Sequence, residues 1–540
     1  MRWIQPGRRP QGLPSRRREN SSLSGQRLTQ PVIPSIESLA DELTDKAVGP
    51  VFGIPGGGPS LELLDALERR GVAYVRTHFE GCAALMAGTM GRLSGEPGMC
   101  LSIKGPGLAN MVSGLAASAL EGFPLLAVCE AFPRDTDWTV RHKGMDHPGL
   151  TSAVSKGCFG IEGKRVVENA VALAKAEVPG PVVLNLNDEQ APPPPVTPET
   201  SVLGPVIKQI EMAKRPVVIV GSLAARSVWA SRLESLAVPV FVTAAAKGAL
   251  DEGLRYSAGV FTGVGLEHTP EAKIVPQSDL VIGLGLRAGE VLAAKPFECS
   301  AVNVDTIGSD QGFEFLASAQ SQILDSVFDA LDAFDWGSDL VADVVTSLDN
   351  RLRSSGFLPA DALAAIQRRF AGQVRGVFDT GNFCTIAEHI WRPAHPNHCL
   401  MSGKGRYMGT ALPMAIAAAE YDPSVPTVAV LGDGGIGMFL AEARLAVERT
   451  LPLLIVLMSD GGFGSVRGRA LKDGLTQAPL IINDPSWLTV LEGMGIPGVA
   501  VNKEEDLSTA LEAWVPDSGP SYVEISFDPD AYQEMIIGIR

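Results

Sequence analysis

The sequence has few aromatic residues and lacks the cysteine and apolar patterns of several protein classes. Aromatic residues make up 6% of its 540 residues. Its seven cysteines are dispersed and include no CxxC pair, which argues against a zinc site or a disulfide scaffold and favours a reducing, cytoplasmic compartment. No apolar run reaches the roughly 18 residues that a membrane-spanning helix requires. The sequence therefore predicts a protein that does not enter a membrane.

Common nucleotide-binding and hydrolase motifs are also absent. GxxxxGK[ST] does not occur, so the sequence gives no support for nucleoside-triphosphate hydrolysis, and no GxSxG provides a serine nucleophile. The glycine-rich residues 53–58 lack the GxGxxG spacing that a dinucleotide site needs. The seven histidines show no metal-ligand spacing.

Acidic residues outnumber basic ones except at the beginning of the chain. The formal net charge is −16, which predicts that the chain has no nucleic-acid partner. Residues 1–34 nevertheless hold seven arginines against one acid and are expected to be a disordered leader. An Arg-rich, Ser-rich, acid-poor leader also fits an organelle transit peptide, and this alternative stays open.

Beyond the leader, β-branched apolar runs alternate with amphipathic stretches. This alternation is typical of α/β units built on parallel sheets. The proline cluster APPPPVTP at residues 191–198 reads as a stiff linker after the first block. The sequence therefore predicts three consecutive α/β domains with mainly parallel sheets.

The strongest local signal for chemistry is a pair of glycine-rich turns, each expected to follow a buried strand. The first turn contains Asp433 and the second Asp460, which are separated by one predicted helix and one predicted strand. A parallel sheet would bring both aspartates to the same edge, where a glycine-rich turn and a helix N-terminus favour an anion. Because a carboxylate would repel a bare phosphate, the pair indicates a bridging Mg²⁺. The alternative is two solvated turns without a ligand.

A further candidate is Glu80, at the expected junction of a strand and an apolar helix. A carboxylate buried there could exchange a proton with a ligand. It could equally be a helix N-terminal acid that satisfies backbone donors.

Together these residues resemble the thiamine diphosphate-dependent 2-oxo acid decarboxylases and carboligases, most closely the acetolactate synthase-like group. The resemblance covers about residues 35–540, and five motifs occur in the family's order: VFGIPGG, HFEGCAALMAGTMGR, KGPGLANMVSGLA, SGKGRYMGTALPMAIAAA and the GDG…D segment. It implies a pyrimidine-binding domain at 35–195, a central domain at 205–340 and a diphosphate-binding domain at 358–540.

The resemblance also implies a role for particular residues. Glu80 matches the glutamate that bonds the aminopyrimidine and supports deprotonation of the thiazolium ring, and Met408 matches the apolar residue that props the cofactor in a bent shape. Asp433, Asp460 and the carbonyl of Gly462 match the Mg²⁺ ligands. The backbone expected to hold the diphosphate is that of Gly381, Asn382, Phe383, Gly434 and Gly435.

Several positions depart from the family pattern. The second metal ligand is usually asparagine but here is Asp460, and a usual glycine is replaced by Arg406, whose implied cofactor contact is through its backbone carbonyl. Near the substrate, acetolactate synthases carry glutamine, methionine and tryptophan where this chain has Lys143, Ser465 and Arg469. A more polar and cationic substrate pocket is therefore expected.

The expected activity is decarboxylation of a 2-oxo acid followed by transfer of the acyl group to a second carbonyl compound. A simple decarboxylase or C–C lyase is the first alternative, and an inactive cofactor-binding paralogue is the second. The resemblance implies a homodimer or a dimer of dimers with active sites between subunits. The residues leave open whether the central domain binds an accessory nucleotide such as FAD.

Overall fold

Three parallel sheets follow one another along the chain in the computed structural model. The structure describes residues 34–46, 48–195, 204–227, 229–287, 289–293, 297–305, 314–317, 321–353, 356–482 and 486–539. Most of the basic leader and the end of the proline linker thus lie outside the described residues. None of the helices in the described part of the chain has the length and apolar character needed to cross a membrane.

The N-terminal domain is built on a six-stranded sheet. Its strands are β1 (Val48–Gly53), β2 (Tyr74–Arg76), β3 (Gly98–Ser102), β4 (Leu125–Glu130), β5 (Cys158–Phe159) and β6 (Pro181–Leu186). Its helices are α1 (Ile36–Lys46), α2 (Pro59–Glu68), α3 (Glu80–Ser94), α4 (Pro106–Glu121), α5 (His147–Thr151) and α6 (Val166–Lys175). The strand order is β2-β1-β3-β4-β6-β5, and all pairings are parallel.

The central domain has a second parallel sheet, of order β12-β11-β10-β7-β8-β9. Its strands are β7 (Pro216–Val220), β8 (Val240–Val242), β9 (Ser257–Val260), β10 (Leu280–Leu284), β11 (Ser300–Asp305) and β12 (Glu314–Ala317). Its helices are α7 (Gly204–Met212), α8 (Ser222–Ala225), α9 (Ala230–Glu234), α10 (Pro270–Ile274), α11 (Ser321–Leu331) and α12 (Ser338–Leu352).

The C-terminal domain has the third parallel sheet. Its strands are β13 (Arg375–Phe378), β14 (Cys399–Met401), β15 (Thr427–Gly432), β16 (Leu453–Ser459), β17 (Gly498–Val501) and β18 (Ser521–Ser526). Its helices are α13 (Pro359–Arg369), α14 (Asn382–Ile390), α15 (Ala411–Tyr421), α16 (Asp433–Ile436), α17 (Ala443–Glu448), α18 (Gly464–Lys472), α19 (Leu488–Gly493), α20 (Glu504–Ala513) and α21 (Pro529–Ile536). The strand order is β14-β13-β15-β16-β18-β17.

The first and third sheets have the same topology. In each domain the second strand lies on one side of the first and the third strand lies on the other, and the remaining strands follow the same order. The two domains also share one continuous core, since buried side chains of α3, α4 and α15 belong to a single apolar cluster. The predicted α/β architecture of three parallel sheets is confirmed.

Small residues allow the helices next to Glu80 to approach closely. A Cβ on Gly114 of α4 would lie 2.1 Å from the carbonyl oxygen of Gly81 in α3, so only glycine fits there. Of the 15 residues of α3, 13 are buried, including Glu80. The first turn of α3 is therefore held between its neighbours before any ligand binds.

Candidate active site

Three aspartates stand at the carboxyl edge of the third sheet, at the point where the strand order reverses. Asp379 follows β13, Asp433 follows β15 and Asp460 follows β16, and these three strands are adjacent. The reversal lies between β13 and β15, because β14 pairs with the other side of β13. In open α/β sheets, ligands bind in the crevice at such a reversal.

Asp433 is anchored by the turn that follows β16. The hydroxyl of Ser459 donates to its Oδ1 at 2.8 Å, and the backbone amides of Asp460 and Gly461 donate to its Oδ2 at 2.9 and 3.1 Å. Gly461 has a φ of +72°, a conformation that favours glycine. The expectation that the two acids meet at one edge of the sheet is therefore confirmed.

The donor set at this edge fits a hard divalent cation. Burial raises the pKa of Asp460 to about 6, and repulsion by the nearby charge of Asp433 contributes to this increase. A cation bound between the two carboxylates would offset that repulsion. Among the described residues no group of three or more His, Cys, Asp or Glu side chains could hold a metal. Two acids and a carbonyl would supply three oxygen ligands and leave the remaining coordination positions for a phosphate and water. Mg²⁺ prefers such a set of oxygen ligands.

A glycine cradle lies next to the acid pair. A Cβ on Gly434 would approach the Met408 Cε to 2.8 Å and the Phe463 ring to 2.4 Å, and a Cβ on Gly435 would lie 2.0 Å from Asp379 Oδ2. Because no side chain fits at either position, the backbone at the start of α16 carries no side chain of its own there, as in glycine-rich turns that bind anions. The cradle suits the diphosphate of a cofactor.

The turn after β13 forms the other wall of the crevice. Gly381 caps α14, and Asn382 is the first residue of that helix. The buried ring of Phe383 lies against Gly432, where a Cβ would be 2.8 Å from the ring. The predicted diphosphate-binding backbone at residues 381–383 and 434–435 is thus brought to one crevice.

Met408 is presented by residues 402–409, which we call the Met408 loop. Arg406 has a φ of +48°, in the left-handed region, and its Nη1 forms an ion pair with Glu388 Oε1 at 2.7 Å. The Tyr407 carbonyl accepts from Thr380 Oγ1 at 3.1 Å. The ion pair between Arg406 and Glu388 holds the backbone at position 406, where the family pattern has glycine.

Sequence reasoning missed Asp379, which also fixes the Met408 loop. The Gly409 amide donates to Asp379 Oδ2 at 2.8 Å, and Asp379 is 1% exposed. Burial raises the pKa of Asp379 to about 7. The sequence did contain one sign that Asp379 belongs to the site: it comes directly after an apolar strand and two residues before Gly381.

Glu80 lies in the N-terminal domain and is the first residue of α3. It is 6% exposed, and Asn110 Nδ2 of α4 donates to its Oε2 at 3.0 Å. Its helix-start position and its burial agree with the prediction. A buried carboxylate with a side-chain amide as its neighbour can accept a proton or a hydrogen bond from a ligand.

The structure places the predicted substrate residues on two different domains. Lys143 lines a cavity of about 350 Å³ in the N-terminal domain, whereas Ser465 and Arg469 lie on α18 in the C-terminal domain. The Arg469 side chain is 79% exposed, and its Nε donates to Asp473 Oδ2 at 3.3 Å. Within one chain Arg469 therefore forms a surface ion pair with the residue four positions on.

Comparison with protein-family models matches all three domains. Residues 36–148 match the thiamine pyrophosphate enzyme N-terminal TPP binding domain, residues 203–311 the central domain, and residues 379–525 the C-terminal TPP binding domain. The chain belongs to the thiamine pyrophosphate enzymes. Glu80 lies in the first TPP-binding domain, and the acid pair lies in the second.

Within the thiamine pyrophosphate enzymes, the chain is similar to acetolactate synthases. It is 25% identical to the acetolactate synthase isozyme 2 large subunit of Escherichia coli over 90% of this chain and 94% of the relative. It is 25% identical to the acetolactate synthase of Bacillus subtilis over 91% of this chain and 93% of the relative. It is 26% identical to the chloroplastic acetolactate synthase 2 of Nicotiana tabacum over 90% of this chain and 81% of the relative. The chain is thus a thiamine pyrophosphate-dependent enzyme of the acetolactate synthase type.

Proposed function

We propose that the protein is a Mg²⁺-dependent carboligase that decarboxylates a 2-oxo acid and transfers the acyl group to a second carbonyl compound. The observation that carries the proposal is the acid pair beside a glycine cradle, at the strand-order reversal of a TPP-binding domain. The buried Glu80 in the other TPP-binding domain also supports the proposal, as the candidate group for proton transfer.

The proposed roles follow from the positions of the side chains. Asp433, Asp460 and the Gly462 carbonyl would hold Mg²⁺, and the amides of the glycine cradle would hold the diphosphate. When bound, thiamine diphosphate supplies a carbon nucleophile that also accepts the electrons released on decarboxylation. Met408 would support the cofactor's rings.

Glu80 would act at the aminopyrimidine ring. Its buried Oε atoms would hold a proton at the ring nitrogen N1′, and burial would exclude water from that hydrogen bond.

We also propose that the protein works as a homodimer or a dimer of dimers. The support is that Glu80 and the acid pair belong to different domains, as in enzymes of this family whose sites combine two subunits. The substrates would be a small 2-oxo acid and a carbonyl acceptor.

Analysis of the products distinguishes the proposed reaction from its alternatives. The holoenzyme is incubated with pyruvate and an aldehyde acceptor. A product with a new C–C bond supports the carboligase. Release of the free aldehyde alone indicates a simple decarboxylase, and cofactor binding without turnover on a panel of 2-oxo acids indicates an inactive paralogue.

Substrate preference is expected to depend on Arg469. We propose that the enzyme accepts a substrate with a polar or anionic group beyond the reacting carbonyl, because a guanidinium can bind a carboxylate through two hydrogen bonds. Arg469→Trp is expected to shift the ratio of kcat/KM values toward small apolar substrates by more than about tenfold, or about 1.4 kcal/mol.

The measurement compares pyruvate with 2-oxo acids that carry a second acidic group. Asp473→Asn is the matched control, since it breaks the observed ion pair and leaves the guanidinium in place. An unchanged preference in Arg469→Trp would assign Arg469 to the surface ion pair alone.

A further inference from the structure

Two glutamates connect the N-terminal and C-terminal domains through backbone amide groups. Glu121, the last residue of α4, accepts hydrogen bonds from the Met408 loop of the C-terminal domain. Glu442, just before α17, accepts hydrogen bonds from the backbone that leads into α3 of the N-terminal domain. We refer to these contacts as the Glu121 clasp and the Glu442 clasp.

The Glu121 clasp consists of one carboxylate and consecutive donors. The amides of Gly403, Lys404 and Gly405 donate to it at 3.2, 3.1 and 2.8 Å, and the Ser402 hydroxyl donates at 3.1 Å. Hydrogen bonds to an ionised acceptor are about twice as strong as neutral ones. The turn three residues before Met408 is therefore fixed by the other domain.

The Glu442 clasp holds the turn directly before Glu80. The amides of His78 and Phe79 donate to Glu442 Oε1 at 2.9 and 3.1 Å, and the Glu442 side chain is 1% exposed. The Phe79 ring also stacks on Phe439 of the C-terminal domain, with centroids 5.9 Å apart. The start of α3, and with it Glu80, is thus positioned from the C-terminal domain.

The two clasps are equivalent under the shared topology of the domains. In each domain the clasped backbone follows the second strand, β2 or β14, and the glutamate lies on the connection between the third and fourth strands. Because each domain holds the active-site backbone of the other, neither Glu80 nor Met408 is positioned by its own domain alone.

We infer that Glu121 and Glu442 are positioning residues, which set the Met408 loop for cofactor binding and Glu80 for catalysis, respectively. This inference rests on the proposed function for the roles of Met408 and Glu80. A residue that merely stabilised the fold would affect cofactor affinity and turnover together, whereas the two clasps should separate these effects.

The test uses Glu121→Gln and Glu442→Gln in the full chain. Glu121→Gln is expected to weaken cofactor binding about tenfold, which corresponds to about 1.4 kcal/mol, with a smaller change in kcat at saturating cofactor. Glu442→Gln is expected to lower kcat about tenfold with a smaller change in cofactor affinity. Titration calorimetry with thiamine diphosphate and Mg²⁺, and steady-state kinetics, give the two quantities.

Hydrogen exchange tests the clasps without reference to catalysis. Amides 403–405 are expected to exchange faster in Glu121→Gln, and amides 78 and 79 faster in Glu442→Gln, each without the other change. If the wild-type protein bound no cofactor while these exchange effects appeared, the proposed function would fail and the clasps would stand. Unchanged exchange in both variants would overturn the clasps.

Glu271→Gln is the matched control. Glu271 is a buried carboxylate that accepts from the Thr262 and Gly263 amides, all within the central domain. Its substitution should leave cofactor affinity and kcat unchanged even if it lowers thermal stability. Equal effects of all three variants on affinity and kcat would refute a positioning role.

A milder variant keeps the test decisive if Glu121→Gln does not fold. Ser402→Ala removes one donor from the Glu121 clasp, and with it the hydroxyl that accepts from the Tyr407 amide at 3.0 Å, and leaves the carboxylate and three amides in place. Faster hydrogen exchange at amides 403–405 in this variant identifies the part of the effect that belongs to the clasp. It is expected to weaken cofactor binding in the same direction by about threefold, or about 0.7 kcal/mol. A cofactor affinity equal to that of the wild type in Ser402→Ala would argue against the clasp.

Discussion

Glu80→Gln is expected to bind thiamine diphosphate and to lose most of its activity. Positioned proton transfer by a side chain typically contributes about 10²–10⁴-fold to a rate, so kcat should fall by about 100-fold or more. The amide of glutamine has nearly the same shape as the carboxylate but cannot form the charge-assisted hydrogen bond to the pyrimidine ring. Steady-state kinetics at saturating cofactor, with cofactor occupancy checked by calorimetry, measure the loss.

A matched control for Glu80 is available in the same domain. Glu62 also lies in the first turn of a helix, α2, but it is exposed, so Glu62→Gln should behave as the wild type does. Near-normal turnover in Glu80→Gln, with the cofactor bound, would remove Glu80 from the mechanism.

Asp433→Ala is expected to abolish Mg²⁺-dependent binding of the cofactor. Loss of a group that only orients a metal ligand commonly costs 10–100-fold in affinity, so removal of a direct ligand should cost more than about 100-fold. The same substitution also releases the Ser459 hydroxyl and the amides of Asp460 and Gly461, which the carboxylate now holds. Calorimetric titration of thiamine diphosphate, with and without Mg²⁺, measures the effect.

Asp460→Asn is the informative companion to that variant. It keeps an oxygen ligand and removes the repulsion between the two acids that helps to raise the Asp460 pKa. We therefore expect binding that is retained or tighter than in the wild type. Clearly weaker binding would show that the additional negative charge is needed at this site.

Local patterns were sufficient to predict the acid pair and the fold. Alternation of apolar runs and amphipathic stretches predicts parallel α/β domains, and parallel strands place the residues that follow them at one edge. Asp433 and Asp460 could therefore be paired from their spacing alone. Arg469 and Asp473 are four residues apart, and residues at this spacing are neighbours on a helix, so their contact is of a kind that a local pattern can indicate.

Contacts between distant residues could not be predicted in this way. Asp379 follows a strand as Asp433 does, but its partner Gly409 lies 30 residues further along and is brought close by the sheet. Glu121 and Glu442 look like ordinary acids at helix ends in the sequence. Their partners lie in another domain, and no periodicity in a single chain specifies how two domains pack.

The separation of Glu442 from the turn it holds has a consequence for protein synthesis. His78 and Glu442 are 364 residues apart in the chain. At the usual rate of about 5–20 residues per second, a ribosome needs about 20–70 s to travel that distance. The N-terminal domain therefore emerges from the ribosome long before its partner, and during that interval the turn before Glu80 is without the carboxylate that fixes it. Glu80 reaches its final position only after the last domain has been translated.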